Sequence, residues 1–165
     1  MDIFKAYLSV CWLKSKPLDL PRSISFFKQN LIFYFIVEFL IQTNIVDDPF
    51  ESFLEICFET FLSLVFLAIA LASSKSLFHF IPIACAMIFA ENFISLLCVP
   101  VLIWLTATDN TQSYYVLGAL AMWNFAIITH IIKQMLRINI AAAIALAMLY
   151  IICVYGGAFA LAQVI

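Results

Sequence analysis

Five long apolar stretches, separated by short polar segments, dominate the pattern of this chain. A helix needs about 20 predominantly apolar residues to cross a hydrocarbon core of about 30 Å. Stretches that approach this length predict spans at about 25–46, 52–73, 77–104, 114–132 and 138–163. Pro82 and Pro100, near the two ends of the third span, are tolerated because neighbouring groups in a membrane bundle can satisfy the freed carbonyls. We therefore predict an all-α polytopic membrane protein, with a bundle of five transmembrane helices over 25–165.

The N-terminal segment, residues 1–24, has a different pattern. Apolar side chains recur there at helical spacing, at Ile3, Phe4, Tyr7, Leu8 and Cys11. This spacing predicts a short amphipathic helix in the membrane interface, acting as a surface anchor or as a partner-binding helix. Pro17 and Pro21 then end the helical pattern. Because Lys5 interrupts the apolar stretch and no small-residue cleavage site follows, we expect no cleaved signal peptide.

The composition agrees with a lipid environment and excludes several classes of protein. Hydrophobic residues make up 66% of the 165 residues and charged residues 11%, whereas a soluble domain typically has about 25% charged residues. The net charge of -2 is small, and there is no basic patch of the sort that neutralises nucleic-acid phosphates, so nucleic acid is not an expected partner. The five cysteines stand apart from each other and from histidines at ligand spacing, so we expect no metal and no cofactor.

The basic residues predict an orientation. In a five-span arrangement all eight Lys and Arg residues fall on one side, and the loops "NIVDDPFE" and "TATDNTQS" contain neither. Positively charged loops stay in the cytoplasm. The N-terminus is therefore predicted to be cytoplasmic and the C-terminus to lie on the opposite side.

Each predicted span carries a polar residue at a similar depth, and together they form a candidate intramembrane cluster: Glu38, Glu59, Glu91, Asn124 and Tyr150. Helical spacing extends three of these positions into polar stripes: Asn30/Tyr34/Glu38/Gln42, Ser52/Glu55/Glu59/Ser63 and Met87/Glu91/Ser95. Acids inside a membrane face protein or water and mark candidate functional sites. Neighbouring carboxylates cannot all ionise there, so some are expected to be protonated.

Two interpretations of this cluster remain open. The polar groups either fix the packing through hydrogen bonds between helices, or they form a path for protons or cations or a pocket for a polar headgroup. We favour the packing interpretation, because no basic residue lies at that depth and no span shows the inverted repeat or the paired Gly/Pro interruption of a transporter. No nucleophile–base arrangement is evident, so an enzyme is not expected.

The cytoplasmic side supplies a candidate interaction face: Asp19, Arg22, His130, Lys133 and Arg137. We hypothesise that Asp19 pairs there with Arg137 or His130. In span five, small residues recur at four-residue spacing, at Ala141/Ala145, Ala143/Ala147 and Gly156/Ala160. Such faces let helices approach closely, either within one bundle or in a homodimer.

Three features of this chain resemble bacterial five-helix membrane proteins related to the Yip (Ypt-interacting protein) family. They are the element "CWLKSKPLDLPRS", the five spans, and the stretch "MWNFAIITHIIKQMLRINIAAAIALAMLY". Asp19, Leu20 and Pro21 are similar to an Asp-Leu…Pro motif that eukaryotic members carry before their first span. The Gly-Tyr-containing second motif of the family is not evident here. The resemblance implies a bacterial inner-membrane protein with a cytosolic N-terminus and a scaffold-like role; eukaryotic members bind small Rab GTPases.

These observations predict an integral membrane scaffold or accessory protein that organises other membrane proteins or lipids. Its expected partners are the lipid bilayer, other membrane proteins and a second copy of the chain. The alternative is a small transporter or channel that uses the intramembrane carboxylate cluster.

Overall fold

The computed structural model describes residues 3–43, 48–108 and 110–164, and all regular structure within these ranges is helical. The helices are α1 (Ile3–Cys11), α2 (Ile24–Gln42), α3 (Pro49–Ser73), α4 (Phe80–Thr108), α5 (Thr111–Leu136), α6 (Ile140–Ile151) and α7 (Gly157–Ala162). Short 3₁₀ turns cover Pro17–Asp19 and Leu77–His79, and a π-helical turn, Ile152–Gly156, joins α6 to α7. Five helical units, α2 to α5 and the α6–α7 pair, are long and apolar enough to cross a membrane. The predicted all-α polytopic fold with five spans is confirmed.

The helix ends explain where the observed spans differ from the predicted ones. The first span was predicted to reach residue 46, but α2 ends at Gln42 and residues 44–47 lie outside the described ranges. The fourth span was predicted as 114–132, but α5 begins at Thr111, because Asn110 caps it by accepting a hydrogen bond from the backbone N–H of Gln112 at 3.0 Å. Polar caps of this kind satisfy N–H groups that have no partner within the helix.

Helix α4 is the centre of the bundle. Every residue from Pro82 to Asn92 is buried, and α4 contacts α1, α2, α3 and α5. A helix that is apolar all round has to be covered by protein or lipid on all sides. Here neighbouring helices cover its first half, which places Glu91 inside the protein.

The N-terminal segment packs on the bundle. Tyr7, Val10 and Cys11 of α1 are almost completely buried and belong to the main hydrophobic core, while Phe4 and Trp12 remain exposed. The hydroxyl of Tyr7 donates a hydrogen bond to the carbonyl of Pro21 at 3.0 Å. The predicted amphipathic helix is present, and its Tyr7 side contacts α4 and α5 rather than lipid.

We use the name basic face for the end of the bundle where α2, α4 and α6 begin and where α3 and α5 end. Lys75 lies there two residues after the end of α3, and Arg137 directly after α5; both have the left-handed backbone conformation, with φ values of 57° and 54°. The small residues of α6 and α7 divide between two sides of the helix. Ala143 and Ala147 are buried in the bundle, whereas Ala141 is exposed.

Candidate functional site

A cavity of about 450 Å³ lies between α2, α3, α4 and α5 and reaches the π-helical turn. We call it the carboxyl cavity and define it by the lining residues Glu38, Gln42, Glu55, Glu59, Glu91, Asn124 and Tyr155. Side chains four residues apart lie on the same side of a helix. The three predicted polar stripes therefore each turn one side toward this space, and four of the five predicted cluster residues line it.

Each of the three central glutamates accepts a hydrogen bond from a hydroxyl group of another helix. Tyr34 donates to Glu59 Oε1 at 2.9 Å, and Tyr150 donates to Glu91 Oε1 at 3.2 Å. Ser95 donates to Glu38 Oε1. These donors orient the carboxyl groups and connect the helices, but they bring no positive charge.

Tyr150 lies behind the cavity and reaches it through Glu91. Its hydroxyl is 2.8 Å from Ser63 Oγ. Because the single hydrogen of Tyr150 is directed at Glu91, Ser63 is the donor in that contact. A separate pocket of about 10 Å³ is lined by Tyr34, Glu59, Ser63 and Glu91. That volume is about enough for one water molecule. Glu59 and Glu91 therefore border a common space of single-water size.

The carboxyl cavity contains no positively charged side chain among its lining residues. Two amide oxygens at its wall, Gln42 Oε1 and Asn124 Oδ1, are buried and have no hydrogen-bond partner in the described structure. Amide oxygens accept hydrogen bonds or coordinate cations. Within the described ranges no three His, Cys, Asp or Glu side chains are placed to hold a metal ion. The arrangement suits protons, or a cation that is hydrated or donates hydrogen bonds.

Tyr155 is the cavity residue that sequence reasoning missed. In a regular α-helix, positions five apart such as Tyr150 and Tyr155 point to different sides. The π-helical turn Ile152–Gly156 inserts extra backbone between them, which changes the direction of Tyr155. Single π-helical turns of this kind are frequent at functional sites. The sequence holds no signal for such a turn beyond Gly156 and Gly157.

The candidate interaction residues on the basic face do not all have the predicted partners. Nε2 of His130 is 3.1 Å from the carbonyl of Ser15, and because a carbonyl can only accept, Nε2 is the donor. Asp19 is exposed, and among the described residues no ion pair joins it to Arg137 or His130, so that pairing stays a hypothesis. His130 binds the backbone of the N-terminal segment instead. Arg137 is exposed, where it ends α5.

The remaining residues of that face have local roles. The guanidinium of Arg22 lies 5.3 Å from the ring centre of Phe78, in a cation–π contact. Lys133 is half-buried at a groove beside α6. A further anchor was not anticipated: Trp123 Nε1 donates to the carbonyl of Cys11 at 3.1 Å. Trp123 and His130 together fasten the N-terminal segment to α5.

Comparison with models of protein families, with curated proteins and with solved structures finds no match to this chain. The likeness to the Yip family therefore stays a prediction. What this chain offers for a functional conclusion is the partly open carboxyl cavity between the helices and the arrangement of charge at the basic face.

Proposed function

We propose that this integral membrane protein binds protons or small cations in the carboxyl cavity and moves them, as a small transporter or channel. One observation carries the proposal. Glutamates from three different helices line a space of about 450 Å³ that no Lys, Arg or His side chain enters. Charge within a membrane-spanning segment has to be accompanied by a counter-ion or neutralised by a proton. Here the protein supplies no counter-ion, so the accompanying positive charge comes from outside.

The unpartnered oxygens favour this function over a purely structural role for the cluster. A polar network that serves only packing is satisfied by its own members, because an unmade buried hydrogen bond destabilises the fold. Gln42 Oε1 and Asn124 Oδ1 have no such partner, and the space beside them is wide enough for a ligand. Packing alone requires neither the cavity nor these free acceptors. This reverses the preference that the sequence suggested.

The route between the carboxyl groups supports proton movement in particular. Glu59 and Glu91 share the single-water pocket, and Tyr150 and Ser63 extend the chain of hydrogen-bonding groups from Glu91 toward α3 and α6. Carboxyl and hydroxyl groups arranged in this way are the usual members of proton relays in membranes.

The experiment is flux measurement in liposomes that contain the purified protein and a pH-sensitive dye. An imposed proton, sodium or potassium gradient is expected to dissipate faster than in protein-free vesicles. Glu59→Gln and Glu91→Gln are expected to reduce that flux by about tenfold or more, as for loss of an essential ionisable group. Glu51→Gln is the matched control, because Glu51 lies on the same helix as Glu59 but outside the cavity. Absence of flux in the native protein, or equal flux in all variants, contradicts the proposal.

The N-terminal segment supports a second candidate function, the scaffold or accessory role. Trp123 and His130 hold that segment on the bundle, and it leaves Trp12, Asp19 and Arg22 exposed as a preformed surface. The Yip-like element fits such a surface, with Leu20 buried as an anchor. Cross-linking followed by mass spectrometry should recover a membrane-protein partner from native cells. Arg137→Glu should weaken that recovery, and unchanged recovery counts against the role.

We further infer a bacterial inner membrane as the location, with the basic face in the cytoplasm. The support is the placement of Lys75, Lys133 and Arg137 at one end of the bundle, together with the basic N-terminal segment. Positive residues of short loops are retained in the cytoplasm during insertion.

A further inference from the structure

A second, apolar groove of about 340 Å³ lies on the outside of the bundle at the basic face. It runs between α5, α6 and the end of α1, and the residues that matter here are Leu13, Met122, Phe125, Thr129, Lys133 and Ile144. None of its lining residues belongs to the carboxyl cavity. Met122 and Ile144 are 68% and 43% exposed, so the groove opens outward from the bundle, toward the surface that lipid covers.

Thr129 is a lining residue of the groove whose hydroxyl group has no partner among the described residues. Its side chain is only 5% exposed, and Oγ1 is buried without any hydrogen-bond partner in the described structure. A threonine within a helix usually donates to the carbonyl four residues earlier. An unmade buried hydrogen bond destabilises the free protein, and rotation of the Thr129 side chain toward the groove would let its hydroxyl donate to a ligand oxygen there.

The charge of the groove selects an anion. Lys133 is among its lining residues, and no Asp or Glu is. Helix α6 begins in the groove, at Ile140, and the N-terminal end of a helix carries partial positive charge. Basic pockets between membrane helices, at the depth of the headgroups, are recognised binding sites for anionic lipids.

The length of the groove matches a lipid better than a free anion. From Lys133 to Met122 the groove follows α5 for eleven residues, about 16 Å at a rise of 1.5 Å per residue. Phe125, Met122 and Ile144 supply an apolar wall over that distance. A soluble phosphate ion would use only the Lys133 end of such a surface.

We propose that this groove binds one anionic phospholipid. The lipid phosphate lies at Lys133, an oxygen near the glycerol accepts a hydrogen bond from Thr129 Oγ1, and one acyl chain lies against Phe125, Ile144 and Met122. The proposal is independent of the carboxyl cavity, because the two sites share no residue.

The test is a lipid titration of the delipidated full chain in detergent, followed by thermal unfolding and by native mass spectrometry. Phosphatidylglycerol and phosphatidylcholine with identical acyl chains are compared. We expect phosphatidylglycerol to raise the melting temperature and to remain bound as a single copy, and phosphatidylcholine to do neither. Lys133→Gln should weaken the apparent affinity by about fivefold, while Lys133→Arg should retain it. Lys28→Gln is the matched control, since Lys28 is exposed on α2 outside the groove.

Thr129 gives a readout that a merely structural residue would not give. Thr129→Val keeps the side-chain shape and removes the unpartnered hydroxyl, so it should raise the melting temperature of the lipid-free protein. The same change should weaken phosphatidylglycerol binding by about two- to tenfold, the loss of one hydrogen bond, and Thr129→Ser should retain the binding. Equal effects of the two lipids, unchanged affinity in Lys133→Gln, or the full shift from inorganic phosphate alone overturns the proposal.

Discussion

Tyr150 joins three helices at one atom. Its hydroxyl donates to Glu91 of α4 and accepts from Ser63 of α3, while its ring packs edge-on against Phe66 with centroids 5.2 Å apart. Removing that hydroxyl leaves two buried polar groups without a partner, and the ring contact is kept. This separates the hydrogen bond from the packing.

Tyr150→Phe is therefore expected to lower the free energy of unfolding by about 1–3 kcal/mol, the penalty for unsatisfied buried groups. Denaturant titration in mixed micelles, followed by tryptophan fluorescence, measures this quantity. Tyr115→Phe is the control, because Tyr115 is 75% exposed and its hydroxyl should contribute little. A Tyr150→Phe protein as stable as the native one would show that Glu91 is not held by Tyr150.

Cys11 provides a chemical probe of the docked N-terminal segment. It is completely buried, and burial raises the pKa of its thiol from an ordinary value near 9 to about 12. At pH 8 the thiolate fraction is then about a thousandfold smaller than in the unfolded chain, and the thiolate is the reactive form. In a variant that keeps only Cys11, maleimide labelling should be slow until the protein unfolds.

Because the folded state binds the proton of the Cys11 thiol more tightly than the unfolded chain does, raising the pH above 9 should favour unfolding.

Trp12→Cys in a cysteine-free background is the matched comparison for this labelling, since residue 12 follows directly and is 54% exposed. It should react rapidly under the same conditions. Similar rates at positions 11 and 12 would mean that α1 leaves the bundle in solution.

At the level of elements, α1, α3 and α5 are each followed within two residues by a residue other than glycine in the left-handed conformation. The φ value of Leu13 is 59°, and the backbone N–H of Lys14 donates to Ser9 at 3.0 Å, which is the bond of a Schellman cap. Glycine normally occupies this position, because a Cβ atom there costs about 1 kcal/mol. Each of these three ends therefore carries backbone strain that glycine would remove.

Leu13→Gly should raise the melting temperature and the free energy of unfolding by up to about 1 kcal/mol. Leu13→Ala is the control, because it shortens the side chain and keeps the strain. Differential scanning fluorimetry on both variants separates the two effects. A glycine variant no more stable than the alanine variant would contradict a strained cap at Leu13.

The same elements show what a sequence can and cannot predict. The lengths of the apolar stretches predicted all five spans, because the thickness of the bilayer sets the length of a helix that crosses it. The docking of α1 did not follow, because an apolar stripe is equally suited to lipid and to protein. The direction of Tyr155 was missed because a π-helical turn changes the helical phase without leaving a periodic signal.

In the carboxyl cavity, too, the sequence predicted one part of the site and left another part open. Four-residue spacing placed Glu38, Glu59 and Glu91 on the inward sides of their helices, and the structure brings these side chains to one space. The distances between the helices decide whether such stripes leave a cavity between them or pack closely and form hydrogen bonds with each other. Those distances result from side-chain packing over the whole bundle, which no local pattern encodes.

At the scale of the whole molecule, the charges are divided along the bundle. The basic residues gather at one face, and the carboxyl groups of the cavity lie within the spans. With the basic face in the cytoplasm, as proposed, a membrane potential that is negative there would draw cations toward that face. The proposed cation movement would then start from the side that faces away from Lys75, Lys133 and Arg137.

The proposed direction of cation movement depends on the orientation of the chain in the membrane. Protein fusions expressed in a bacterial host test that orientation. Green fluorescent protein folds in the cytoplasm, whereas alkaline phosphatase is active only outside it. Because the basic face is expected in the cytoplasm, a fluorescent protein fused after Ser76 should fluoresce and a phosphatase there should be inactive. At Ile165 the result should be reversed, since an odd number of spans separates the C-terminus from the basic face. Fluorescence at both positions, or the opposite pattern, would overturn the cytoplasmic placement of the basic face and with it the inward direction of cation entry.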